Sequence, residues 1–282
     1  MKLWHAFFIV INILCTSPSI AAPITFNTVL PVSKDELIIR NQLIINRASD
    51  SGVSQKTSSL VSTLAYGATQ NLTFFATLPL IDRTLKTPDG RFSNSGLGDV
   101  QLIARFTTFQ KNSAGKTFRI APFLGAKIPT GDEDRNNTPS VALSTGSTDL
   151  FTGLITTYAT TNWTVDGQLA YRNNGSSNGT EFGDAFTFDT SLQYRLIPRQ
   201  LKATSTAFLN GVLELNIVDQ QSNTRGGTND ENSGGTSIFI APGLQYITQR
   251  WILESSVQIP IQTNNSLLEN DYIAQVGIRT NF

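Results

Sequence analysis

DAFTFDTSLQYRL, residues 184–196, alternates from end to end. Phe186, Phe188, Thr190, Leu192, Tyr194 and Leu196 share one side, opposite Thr187, Asp189, Ser191, Gln193 and Arg195. A period of two belongs to an extended strand with one apolar and one wet face. Its length suits a tilted strand that crosses a thin bilayer.

The same rhythm recurs outward in both directions. TFRIAPFLGAKIP (117–129) sets Phe118, Ile120, Pro122, Leu124, Ala126 and Ile128 against Arg119 and Lys127. WILESSVQIPIQ (251–262) sets Trp251, Leu253, Val257, Ile259 and Ile261 against Glu254, Ser256, Gln258 and Gln262. DYIAQVGIRTNF (271–282) alternates through to Phe282. Further candidates run near 36–46, 57–67, 72–82, 99–109, 148–160, 163–173, 207–217 and 236–247. Segment 148–160 is the weakest, because both of its faces mix apolar residues with threonine. Prolines 122, 242 and 260 each remove a ladder donor, which makes the local register uncertain.

The connections alternate in length. Short ones fall at 68–71, 111–116, 161–162 and 249–250; long polar ones at 83–98, 130–147, 174–183, 218–235 and 263–270. Stretch 197–206 is of middling length where a short turn is expected. Short turns at one end and long loops at the other describe an outer-membrane barrel. The expected fold is therefore all-β, a transmembrane antiparallel up-and-down β-barrel of about 12 strands. The sequence leaves open whether residues 23–35, ahead of the first strand, plug its lumen.

Composition agrees with that reading. The 282 residues carry 21 Lys plus Arg and 21 Asp plus Glu, so no basic field draws nucleic acid. Mean hydropathy is −0.09, as alternation allows even when one face meets lipid. Lys2, the apolar AFFIVINIL (6–14) and the small residues of SPSIAA (17–22) form a secretory signal peptide, with cleavage expected after Ala21. The domains are then a signal at 1–21 and a barrel at 22–282. Removing the signal removes the chain's only cysteine, histidine and methionine. No disulfide, His-ligated metal or Ser-His hydrolase can then be built. Barrel-borne phospholipases and omptin-type proteases resemble each other in needing histidine. No enzyme activity, catalytic residue, cofactor or resident metal is assigned.

Aromatic residues gather at the short-turn ends: Tyr66, Phe74, Phe106, Phe118, Tyr158, Trp163, Tyr194, Tyr246, Trp251 and Phe282. An amphipathic girdle belongs at the headgroup level. The same alternation points Arg40, Asp99, Arg105, Arg119, Lys127, Asp166, Arg172, Asp189, Arg195, Glu214, Glu254 and Arg279 inward, as candidate pore-lining residues. A hairpin that matches Trp251 to Phe282 sets Glu254 opposite Arg279, an expected inward salt bridge. Asp132, Glu133 and Asp134 on a long loop are a solvated rim, a calcium-binding group or part of a loop folded back over the pore. Loop 218–235 reads as mobile, from its Gly and Asn content.

NSGLGDVQLIARF (94–106) and APFLGAKIPTGDED (121–134) carry a resemblance. Gly96, Gly98 and Asp99, then Lys127, Pro129, Thr130 and Gly131, are similar to paired motifs of a bacterial outer-membrane family named for the meta-pathway of phenol degradation. That resemblance implies a barrel that transports hydrophobic or aromatic compounds. The last dozen residues also resemble the terminal signal through which the outer-membrane assembly machinery recognises barrel strands, here at Phe282. The expected partners are the lipid bilayer, that machinery and a small solute; the expected location is the outer membrane of a Gram-negative bacterium. The expected function is a channel for small solutes; the alternative is a surface-interaction, adhesin-like barrel whose outer loops do the work.

Overall fold

Twelve antiparallel strands close into one barrel in the computed structural model, which describes residues 22–132, 141–200, 205–231, 233–264 and 269–282. The signal segment lies outside these residues. The strands are β1 (Leu37–Asp50), β2 (Val53–Gly67), β3 (Leu72–Thr87), β4 in three pieces (Gly90–Leu97, Val100–Phe106, Phe109–Ser113) and β5 (Lys116–Ile128). They continue as β6 (Asp149–Thr160), β7 (Trp163–Asn173), β8 (Ala185–Ile197), β9 (Ala207–Gln220), β10 (Gly235–Thr248), β11 (Trp251–Thr263) and β12 (Glu269–Asn281). Each strand pairs with its sequence neighbours, and β1 closes on β12 through pairs such as Leu43 with Val276. Closure removes the free edge of the membrane-spanning wall, as a sheet in lipid requires; at the loop end the piece Gly90–Leu97 has a ladder to β3 alone among the described residues.

The alternation read from 184–196 is physical. Phe186, Leu192, Tyr194 and Leu196 are exposed on the outer wall, while Asp189, Ser191, Gln193 and Arg195 are buried inside. Outward threonines hide their hydroxyls on backbone: Thr152 donates to the Phe123 carbonyl at 3.0 Å and Thr190 to that of Asp166 at 3.1 Å. Eleven residues at about 3.3 Å each, tilted about 40°, reach about 28 Å, enough for an apolar band about 25 Å tall. The aromatic belt at the short-turn end includes direct ring contacts. Phe109 meets Phe118 at 5.9 Å, Phe118 meets Tyr158 at 6.5 Å, and Tyr158 meets Trp163 at 5.2 Å.

Several expectations need correction at the loop end. Residues 83–98 are not a loop: β3 and β4 continue as a ladder to the pair Thr87 with Gly90, beyond the expected strand limits. Pieces of 174–183 and 218–235 pair with each other, Glu181 with Thr224, in a four-stranded rim sheet. The polar loop read as mobile thus has a partner hairpin. Pro242 and Pro260 do perturb the wall: the β10–β11 ladder shifts at Ile238/Phe239, and no pairs link it between Ile240–Ile259 and Gly243–Ser256.

The last hairpin is shifted by two residues from the expected register. Trp251 pairs with Thr280 and Glu254 with Gly277. A shift of two keeps every side chain on its own face. The expected salt bridge therefore forms across the offset, with Arg279 Nη2 3.4 Å from Glu254 Oε2.

The two motif segments of β4 and β5 pack on one another. Asp99 accepts the Gly131 N–H at 3.1 Å, Asp132 N donates to the Leu97 carbonyl at 3.0 Å, and Val100 N donates to Thr130 Oγ1 at 3.0 Å. A Cβ on Gly131 would lie 2.9 Å from Gly98 Cα and from the Leu97 carbonyl oxygen. Backbone on backbone cannot yield that space. Gly131→Ala is expected to part residues 130–132 from the start of the Val100–Phe106 piece and speed cleavage there by added protease several-fold, read on gels of intact cells. Cleavage at the wild-type rate would refute the clamp.

Candidate functional site

Residues 22–33, APITFNTVLPVS, run inside the barrel rather than along it. Pro23 and Pro31 keep this segment out of any ladder. Its peptide groups must therefore find side-chain partners in a wall whose own backbone is already paired. The inward charges supply them. Glu214 accepts the N–H groups of Ile24 at 2.7 Å and Thr25 at 3.1 Å. Arg40 Nη2 donates to the Ile24 carbonyl at 2.7 Å and Gln42 Nε2 to the same oxygen at 3.2 Å. Gln245 Nε2 donates to the Ala22 carbonyl at 2.7 Å. Arg105 donates to the carbonyls of Thr28 and Leu30. Thr157 Oγ1 accepts the Val29 N–H at 3.0 Å, and the Thr28 hydroxyl donates to Asp166 at 2.8 Å.

Apolar packing completes the seat. Val29 is fully buried against Ala121, Phe123, Phe151 and Ile155 of β5 and β6. The two phenylalanines lie across cross-strand glycines, Phe123 on Gly153 and Phe151 on Gly125. Only a residue without Cβ leaves room for a ring to lie flat there: a Cβ on Gly153 would stand 2.5 Å from Phe123.

The segment divides the lumen. On the loop side lies a cavity of about 550 Å³ reaching Lys127, Arg172 and Asp189. On the short-turn side lies one of about 320 Å³ reaching Arg40, Arg105 and Arg279. Thr25, Phe26 and Asn27 line both and form the partition.

The twelve expected inward residues fall into distinct groups. Arg40, Arg105, Asp166 and Glu214 hold the segment directly. Glu254 binds Arg40 at 2.6 Å and Arg279 at 3.4 Å, so it anchors the segment through Arg40. Asp189 accepts from Asn216 Nδ2 at 2.9 Å, and the same amide reaches Thr25 Oγ1 at 2.9 Å. At the loop end Lys127 bridges Asp149 at 2.6 Å and Asp99 at 3.4 Å. Arg172 lies over the Phe151 ring at 5.4 Å. Arg119 donates to Thr117 Oγ1 at 3.2 Å, and Arg195 donates to the Asn162 side chain in the neighbouring turn. Neither has a bond to the segment among the described residues. Of the acidic loop cluster, Glu133 and Asp134 lie outside the described residues; Asp132 belongs to the motif clamp.

Sequence reasoning missed Asp149, Thr157, Gln42 and Gln245. Asp149 lay in the one strand whose alternation was blurred. The others are neutral, so an inward-charge criterion passed over them, although the two-residue period places Gln42 on the face of Arg40.

Residues 48–274 match the family described as "Putative MetA-pathway of phenol degradation". Among solved structures, the chain is similar to the COG4313 outer membrane channel from Pseudomonas putida F1. That match has 15% identity and a TM-score of 0.72, and covers 93% of this chain and 100% of that one. The β domain of the Bordetella autotransporter BrkA is also similar, with 11% identity and a TM-score of 0.51, over 88% and 99% of the two chains. At these identities the likeness establishes the barrel fold. None of the curated proteins searched matches the sequence.

Proposed function

Since this chain belongs to the family described as "Putative MetA-pathway of phenol degradation", we propose that it is an outer-membrane channel for small solutes, partitioned internally by residues 22–33. The observation that carries this reading is the pair of cavities on either side of Thr25, Phe26 and Asn27. A barrel built only for surface display has no need of hollows on both sides of a removable segment. A passage does. Selection comes from the width left beside Phe26 and from the mixed charges around it, with no covalent step.

The protein reaches the outer membrane through a signal peptide cleaved after Ala21. It inserts with Phe282 recognised by the assembly machinery, its short turns facing the periplasm. Of the twelve inward charges, Arg40, Arg105, Lys127, Arg172, Asp189 and Arg279 line the two cavities of the route in this reading. The similar channel from Pseudomonas putida supports it as a relative of the same architecture.

Arg105 offers the direct test. Its guanidinium grips two carbonyls of the segment and stacks on Phe75 at 5.0 Å. In planar bilayers the purified protein is expected to give discrete current steps, with Arg105→Ala raising mean open current at least twofold. A protein silent both there and in liposome swelling would end the channel reading.

A further inference from the structure

Among the lumen cations, Arg172 is set apart by what it lacks. Lys127 is neutralised by Asp99 and Asp149, and Arg40 and Arg279 share Glu254. Arg105 and Arg195 spend donors on protein oxygens. Arg172 has no hydrogen-bond acceptor or carboxylate within bonding distance among the described residues. Its guanidinium lies over the face of Phe151, and the charge of Asp149 acts on it only from beyond hydrogen-bond reach. Yet it is half-buried in the wall of the loop-side cavity.

That cavity also presents Phe26, Phe123, Phe151 and Phe182. Its volume of about 550 Å³ lies within the range of about 300–1,000 Å³ usual for small-molecule pockets. A guanidinium offers a planar fork of donors matched to a carboxylate, and stacking on a ring fixes that fork in place. Rings beside it favour a ligand with an apolar, flat body.

The two carboxylates of the cavity spend their hydrogen bonds on groups other than Arg172. Asp149 is held by Lys127, by the Ser147 hydroxyl at 2.7 Å and by the Gly175 N–H at 3.1 Å. Asp189 accepts from Gln168 at 3.1 Å and from Asn216 at 2.9 Å. It also sits deeper: Arg172 pairs with Ala185, four residues along β8 from Asp189. At about 3.3 Å per residue and a tilt of about 40° that is about 10 Å of depth.

We infer that Arg172 and the phenylalanines of the loop-side cavity form a capture site for small aromatic carboxylates, the carboxylate on the guanidinium and the ring among the phenyl groups. The inference rests on the channel reading and names its solute class. A monocarboxylate with one ring satisfies both halves of the site; acetate satisfies only the cation, and a neutral benzyl alcohol only the rings.

Fluorine NMR on the detergent-solubilised full chain tests this without any need for transport. The probes are 4-fluorobenzoate, 4-fluorobenzyl alcohol and trifluoroacetate. Wild-type protein is expected to bind 4-fluorobenzoate at least tenfold more tightly than either other probe. Arg172→Gln should cost at least tenfold for 4-fluorobenzoate and under twofold for the alcohol. Phe182→Ala, in a rim loop outside the barrel ladder, should weaken both aromatic probes threefold or more, and covers the case in which Arg172→Gln does not fold. Equal binding of 4-fluorobenzoate and trifluoroacetate would overturn the inference, as would unchanged benzoate affinity in Arg172→Gln. Current recordings on the same preparation separate the two proposals: binding without conductance sinks the channel and keeps the site, whereas conductance without binding does the reverse.

Discussion

Deleting residues 24–32 should raise single-channel conductance at least fivefold while leaving a folded barrel. The ladder that closes β1 on β12 contains none of these residues, so the wall does not depend on them. What they do is fill the inner half of the lumen with peptide and with Phe26, Val29 and Leu30. Current through a narrow pore is limited by its tightest section, and here that section is the partition between the two cavities. Removal exposes Glu214, Asp166 and Arg105 to water, where hydration replaces the peptide bonds they now accept or donate. Phe26→Ala should move conductance the same way by a smaller factor, because it widens the partition without removing it. Planar-bilayer recordings check both, with heat-modifiable gel migration reporting the intact barrel. A deletion that folds and conducts like the parent would mean that the current bypasses the segment altogether.

The second large effect belongs to Glu254. This buried carboxylate receives Arg40 at 2.6 Å, Arg279 at 3.4 Å, and the amides of Gln42 and Gln245 at 3.3 Å each. Taking away one partner of a buried ion cluster costs about 3–5 kcal/mol, because the opposite charges remain without compensation. Two guanidiniums would then face each other across adjacent strands. Glu254→Ala is expected to lower the temperature at which the barrel loses its folded gel mobility by ten degrees or more. Glu254→Leu combined with Arg279→Met should recover part of that loss, since an apolar pair replaces both charges. An unchanged transition in Glu254→Ala would show that the cluster is already hydrated and contributes little.

Most of the barrel was readable because lipid imposes a strict rule on every second residue. Residues 184–196 show the rule in full, and the face of each inward charge followed from it. The register did not follow, because a shift of two residues leaves every face unchanged: the Glu254–Arg279 bridge survived an offset that the pattern could not detect. Strand ends were harder. Residues 83–87 continue β3 up to the Pro88-Asp89-Gly90 turn, and a long polar stretch concealed a ladder that rises beyond the apolar band. The weakest strand has its own explanation. The inner face of β6 carries Phe151 and Ile155 because it packs against Val29, so both its faces are apolar where the simple rule expects one. Whether residues 23–35 plug the lumen stayed open in the sequence for the opposite reason. The hydrogen-bond partners of residues 22–33 come from six different strands, and no local pattern encodes contacts so far apart in the chain.

Most hydrogen bonds on that segment grip its peptide units: the carbonyls of Ala22, Ile24, Thr28 and Leu30, and the amides of Ile24, Thr25 and Val29. Such anchors are indifferent to which side chains the segment displays. Apart from Thr25, Thr28 and Val29, whose side chains are themselves part of the seat, the cork can thus be recut in bulk and polarity without loosening its fittings.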